Sequence, residues 1–272
     1  GDFIVVPRPT FEQTIDTVQV DKYMERKRTN HYKEVQLPET IPATADLGLI
    51  LGQYVADGST TANATEIVYH EEEQMFWEET RKAVRKVFGL ETHLITRTDM
   101  AVRAQRVQIY CSQLASLIEG LGGKGATTKK LHKDVLKWPI EALKGFLIGY
   151  LRGDGHTARS KYFHTHKVQA VTHSVDLGWQ LFWVARKCGY NPSIKVKSRS
   201  GVKKAIITFY GDEARELGPP TQRFYKADDE NLPKQARGSI IDCGDYTLIR
   251  VDAAWMEEYE GYVYDLSIED SH

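Results

Sequence analysis

Alternating and helical patterns of apolar residues recur twice, in the same order, along the 272-residue chain. In the first half, runs of period two at 64–70, 92–98 and 104–110 predict strands, and helical stretches at 72–88 and 112–121 predict helices. In the second half, 167–172, 193–199 and 205–210 read as strands, with helices near 177–188 and 213–217. Each half reads αββαββα once one short strand, unmarked by the pattern, is added to it. The glycines at 120, 122, 123 and 125 predict a helix-breaking linker over 120–128, and residues 198–201 predict a hairpin turn.

The recurrence has a sharp core. Residues 47–58, LGLILGQYVADG, are matched by residues 144–155, KGFLIGYLRGDG, which sets Asp57 and Asp154 97 residues apart. The chain therefore divides into an N-terminal segment (1–45), a first half (46–122), a connector (123–143), a second half (144–225) and a C-terminal segment (226–272). Gly48, Gly52 and Ala56 fall every fourth residue in one copy, as do Gly145, Gly149 and Gly153 in the other, so each set makes a stripe on one helical face. Glycine inside a helix costs about 1 kcal/mol relative to alanine. Close backbone approach of a second helix offsets that cost, and the two stripes are each other's expected partner. Packing them together brings Asp57 and Asp154 to one end, beside the partly negative C-termini of both helices. Such a pair calls for a cation, and Mg²⁺ or another hard divalent ion suits one or two carboxylates with phosphate oxygens and water.

At these residues the chain resembles the LAGLIDADG homing endonucleases: ILGQYVADG (50–58) and LIGYLRGDG (147–155) fit the family's nine-residue motif, and the likeness extends over about 46–225. Val55 and Arg152 stand where the family name has its first acid. The resemblance implies an α+β fold of two pseudo-symmetric αββαββα halves with saddle-shaped antiparallel sheets. It also implies a site-specific endonuclease that makes a double-strand break in a long DNA target by divalent-metal-dependent phosphodiester hydrolysis. Carried over, Asp57 and Asp154 are catalytic metal ligands, with the carbonyls of Ala56 and Gly153 as further donors. The stretch 123–135 resembles the segment that precedes the second motif in intein-borne members, and there Lys129, then Lys130, are the candidates for a basic group at the reacting phosphate. Lys226 is a weak counterpart in the second half.

Charge refines this picture. The net charge of −1 by itself predicts no nucleic-acid partner. It averages over a strong asymmetry, because 177–211 holds seven basic residues and no acid, while acids gather at 66–79 and 257–270. Lys195, Lys197 and Arg199 alternate on one strand face. With Lys203 and Lys204, and with Arg97, Arg103, Arg106 and Gln108 as first-half counterparts, they form the expected surface for double-stranded DNA. Cys111, Cys188 and Cys243 are too scattered for a disulfide framework or a cysteine zinc site. His156, His164, His166 and His173 match no standard zinc spacing and read as phosphate or base contacts. With no membrane-length apolar run and no signal-peptide layout, a cytoplasmic protein is expected, acting as a monomer that carries both halves.

Both ends, GDFIVVPR (1–8) and GYVYDLSIEDSH (261–272), resemble intein splicing-domain strands. An N-terminal Cys or Ser nucleophile, a Thr-x-x-His segment and a terminal His-Asn pair are missing, so splicing by this chain is not expected. Two rivals remain: a LAGLIDADG DNA- or RNA-binding protein of maturase or regulator type that does not cut, and a non-splicing intein fragment.

Overall fold

The computed structural model describes residues 2–7, 9, 13–24, 36–97, 104–157, 167–218, 240–251, 258, 260 and 261. Strands β1 (Phe3–Pro7), β2 (Thr17–Gln19) and β3 (Thr40–Pro42) come first. The first half follows as α1 (Ala45–Asp57), β4 (Gly58–Thr60), β5 (Ala64–His70), α2 (Gln74–Phe88), β6 (His93–Arg97), β7 (Ala104–Tyr110) and α3 (Ser112–Gly122). The second is α4 (Ile140–Asp154), β8 (Gly155–Thr157), β9 (Lys167–Thr172), α5 (Val175–Lys187), β10 (Ser193–Arg199), β11 (Val202–Tyr210) and α6 (Gly211–Leu217). Strands β12 (Ile240–Asp242) and β13 (Tyr246–Arg250) come last. The fold is α+β, and both halves run αββαββα. The strand that pattern alone does not mark is β4 in one half and β8 in the other, each three residues long and too short to show an alternation.

The chain forms two compact units, residues 8–237 and the joined ends 1–7 with 238–272. In the smaller unit β1 and β12 flank β13 in an antiparallel sheet, with Phe3 opposite Arg250 and Pro7 opposite Tyr246. Most of the 261–272 motif lies outside the described residues.

The larger unit holds two four-stranded antiparallel sheets of matching order, β4-β5-β7-β6 and β8-β9-β11-β10. Helices α1 and α4 are buried along most of their length: Leu47, Ile50, Leu51 and Tyr54 on one, and Leu143, Phe146, Leu147 and Tyr150 on the other, are almost completely hidden. A helix apolar all round belongs at the centre. Helix α2 is amphipathic, seating Phe76, Trp77, Ala83, Val84 and Phe88 inward, and stops at Gly89 in the left-handed region at φ 66°. Thr44 and Ser174 cap α1 and α5 by accepting from the backbone N–H of Leu47 (3.4 Å) and Leu177 (3.2 Å). No helix among the described residues is long and apolar enough to cross a membrane.

The linker expectation needs correction. Gly120 and Gly122 lie inside α3 rather than breaking it, and the break comes at Gly123, φ 74°. Gly120 is a packing residue, since a methyl group there would stand 1.8 Å from the Tyr23 carbonyl oxygen. The connector is a fastened strap: buried Asp134 accepts from Lys22 Nζ (2.6 Å) and Tyr23 Oη (2.9 Å), and the Leu131 backbone exchanges two hydrogen bonds with the Gln180 side chain.

Candidate active site

The site begins at the seam between α1 and α4. A methyl group at Gly48 would stand 1.9 Å from Ala142 O, one at Gly52 2.1 Å from Phe146 O, one at Gly145 2.2 Å from Ala45 O and one at Gly149 2.3 Å from Leu49 O. All are far below van der Waals contact, so backbone lies on backbone along both stripes. At the C-terminal end, the position of a methyl on Gly153 is 2.6 Å from Ala56 Cβ and 2.7 Å from Asp57 Oδ2. The Asp57 carboxylate therefore lies over the residue that precedes Asp154.

Proximity shows in the electrostatics. Asp57 reaches solvent as a residue, yet the surrounding protein desolvates its carboxylate and, together with Asp154, pushes its pKa up to about 6, against an opposing pull from Lys129. Burial also raises Asp154, with Tyr150 and Lys129 acting in the other direction. The buried Tyr150 hydroxyl faces Asp154 and Thr172 without completing a well-formed hydrogen bond to either.

Lys129 is 7% exposed. Its ammonium donates to Tyr54 O (2.7 Å), Val55 O (3.1 Å) and Gly58 O (2.8 Å) and sits 4.7 Å from the Tyr54 ring centroid. An ammonium has three hydrogens, and all three are used in closing the C-terminus of α1. Burial lowers its pKa to about 8, while Asp154 and Asp57 pull it up. Lys129 thus stands close to the carboxylates with no donor left for a phosphate. Lys130 is exposed and lines neither cavity beside the aspartates.

Two cavities flank the pair. One, of about 290 Å³, includes Asp57, Gly153, Arg152, His70 and Glu73 in its wall. The other, of about 480 Å³, includes Asp57, Asp154, Lys129, Lys124 and His173. Arg152 is held across the halves, donating to Glu79 at 2.5 Å and lying 4.7 Å from the Phe76 ring centroid. The sequence pattern assigns no site role to Arg152, Lys124 or His70 and only a general contact role to His173.

The sheet faces turned away from the helices differ. On the first, Arg106 and Gln108 share a face with Glu66 and both donate to it, at 3.2 and 2.9 Å. Arg97 pairs in register with Ala104, and Arg103 lies outside the described residues. On the second, Lys195, Lys197 and Lys204 share the outer face, with Lys197 directly opposite Lys204, while Arg199 pairs in register with Val202. Lys167, unmarked by the sequence, joins that face opposite Tyr210. The basic window is not wholly surface. Arg186 is 2% exposed and Lys187 donates inward to Leu136 O and Trp138 O at 3.0 and 2.9 Å, while Lys203, exposed, sits opposite Ser198 on the other face of the sheet. Alternation along β11 and the inward stripe of α5 explain these placements.

Among the described residues no group of three or more His, Cys, Asp or Glu side chains converges on a metal position. The donor set is two carboxylates that repel one another, together with the last-turn carbonyls of Ala56 and Gly153, which an α-helix leaves without intrahelical partners. Hard oxygen donors in that number fit a divalent ion that completes its shell with phosphate and water. His156 and His173 are exposed, and His164, His166 and Lys226 lie outside the described residues.

No family model matches the chain. A DNA polymerase of Thermococcus sp. (strain GE8) is 24% identical over 92% of the chain, and the ATP-dependent DNA helicase Hel308 of Thermococcus kodakarensis is 25% identical over 88%. The chain spans only 16% and 21% of the lengths of these two proteins. Among solved structures, the fold is similar to that of the homing endonuclease I-DmoI in complex with DNA and calcium, at TM-score 0.47 and 9% identity over 66% of this chain and 95% of that one.

Proposed function

We propose that the chain is a site-specific endonuclease of the LAGLIDADG type, derived from an intein and cutting both strands of double-stranded DNA with Mg²⁺ or another divalent ion. One observation carries the reading: a glycine-seamed pair of central helices brings Asp57 and Asp154 together at one end. A polyanion fits the second sheet as well, because two lysines directly opposite each other, Lys197 and Lys204, destabilise a bare sheet. The match of nearly the whole chain to a small part of two proteins with different activities is what an inserted element would produce.

In this reading the aspartates hold the ion and keep the scissile phosphates between the halves. The ion, when bound, supplies positive charge to the phosphate and acidifies a water. Hydrolysis consumes one water per strand: its oxygen joins phosphorus, a P–O ester bond breaks, and the leaving oxygen ends as a hydroxyl. Lys129 acts as a positioning residue, fixing the last turn of α1 and hence the carboxylate it presents. Outer-face residues of both sheets bind the duplex, Lys195, Lys197 and Lys204 in one half and Arg106 and Gln108 in the other, with Arg199 and Arg97 of the same strands as further candidates. One chain holds both halves of the site and acts as a monomer.

The test is to incubate the chain and Mg²⁺ with a randomised duplex library and sequence the cut ends. Recurrent paired cuts, lost with D57N or D154N, support the reading. Tight binding of particular duplexes without any cut would instead identify a recognition protein.

A further inference from the structure

We infer that His70 and His173 form a pseudo-symmetric pair, each donating a hydrogen bond to the scissile phosphate of one DNA strand. The inference rests on the nuclease reading and adds to it two residues that the repeated motif does not contain.

The register establishes the pair. Gly58 follows Asp57 and pairs with Ile67; Gly155 follows Asp154 and pairs with Ala170. Three residues beyond those partners stand His70 and His173, both shortly before the start of a helix, α2 or α5. Ile67 is buried, so His70, three residues on and the last of β5, falls on the outer face, and His173 follows β9 directly as an exposed residue. Each histidine lines one of the two cavities beside the aspartates.

The other cations of those cavities are engaged. Arg152 is held by Glu79, Lys129 by three carbonyls, and Lys124 lies 3.3 Å from Glu119. The Nε2 edge of each imidazole is open among the described residues, although His70 Nδ1 lies 3.8 Å from a Glu72 carboxylate oxygen. The Glu72 N–H donates to His70 Nδ1 at 3.3 Å, which leaves the proton of a neutral ring on Nε2, and Nε2 has no partner among the described residues. His173 makes no hydrogen bond among the described residues. A phosphate approaching two carboxylates needs donors on the sides they do not occupy, and a preorganised donor at such a site is worth about 10²–10³ in rate.

The test uses the full chain and a duplex recovered from the library. H70A should slow cutting of one strand and H173A cutting of the other, each by about 10²-fold, so that single variants accumulate nicked duplex with the nick on opposite strands. H70Q and H173Q, which keep a donor near the Nε2 position, should recover most of the lost rate, and all variants should bind the duplex in Ca²⁺ within about twofold of the unaltered chain. In metal-free protein, the Nε2 resonances of both histidines should move on adding the target duplex. Single alanine variants that cut both strands at the unaltered rate, or imidazole resonances unmoved by target, overturn the inference while leaving the nuclease reading standing. An unaltered chain that cuts no duplex removes the nuclease reading, and this inference with it.

Discussion

The two sheets share strand order and register, yet their outer faces differ in charge. In the first, Glu66 stands opposite Gln108 and accepts from it and from Arg106, so the charge of that arginine is offset within a polar network. In the second, Lys167, Lys195, Lys197 and Lys204 share the face, and no acid joins them among the described residues. Pseudo-symmetry therefore governs the seam and the aspartates but not the outer faces of the sheets. In the proposed function the second half supplies most of the salt-sensitive attraction to phosphates, and the first offers fixed donors and acceptors that suit base edges.

The largest expected effect falls on what the halves share. D57N or D154N should cut cleavage by about 10³-fold while DNA affinity holds or rises, because an anion facing phosphates is removed. Cleavage near the normal rate in either variant, measured on the recovered duplex, removes that aspartate from the site. Next comes the half-specific surface: K195A/K197A/K204A should weaken binding to every sequence and flatten log K against log salt by about 0.9 for each phosphate no longer neutralised. R106A should alter which bases are preferred and change that slope by at most about 1. Equal slope changes from the two would erase the contrast between the sheets.

Smaller effects probe features on one side. K129M should lower stability by about 1–3 kcal/mol, since three last-turn carbonyls lose a charged donor. It should slow cutting with no change in DNA affinity, and a matching fall in affinity in titrations would make Lys129 a phosphate ligand. In metal-free protein, Asp57 has a folded pKa of about 6, above the ordinary carboxylate value of 3.8. The folded state then holds more protons than the unfolded one between those values, so stability should fall as pH rises from about 4 to about 6. D57N should flatten that slope in denaturant titrations, and an unchanged slope would assign it to other groups. The smallest effect is expected from E66Q, a modest rise in affinity, within about tenfold, as Arg106 is freed from its acid.

The helix pair and its aspartates are legible in the sequence because a stripe of small residues and an Asp-Gly ending leave a strong local signature, and because it occurs twice. Strands β5, β9 and β10 are legible from alternation. Lys129 is marked by its neighbourhood, but its three carbonyl partners arise from a return of the connector onto α1, which no local pattern records. The histidine pair escapes for a different reason. The aspartates are offset by 97 residues, whereas Ile67 and Ala170, fixed by strand register, are offset by 103, so a search at one spacing misses it. Composition groups Lys203 with Lys204, although neighbours on a strand point to opposite faces.

The seam also works as a ruler. Carbonyl oxygens occupy the places where side chains would otherwise separate α1 from α4, so the two helices have no compressible layer between them. In the proposed function, the span between the two cutting positions would then be a property of the main chain rather than of any side chain that meets DNA. Substitutions on the sheet faces would then redirect such an endonuclease to new sequences while the stagger between its two cuts, and so the length of the single-stranded ends, stayed constant.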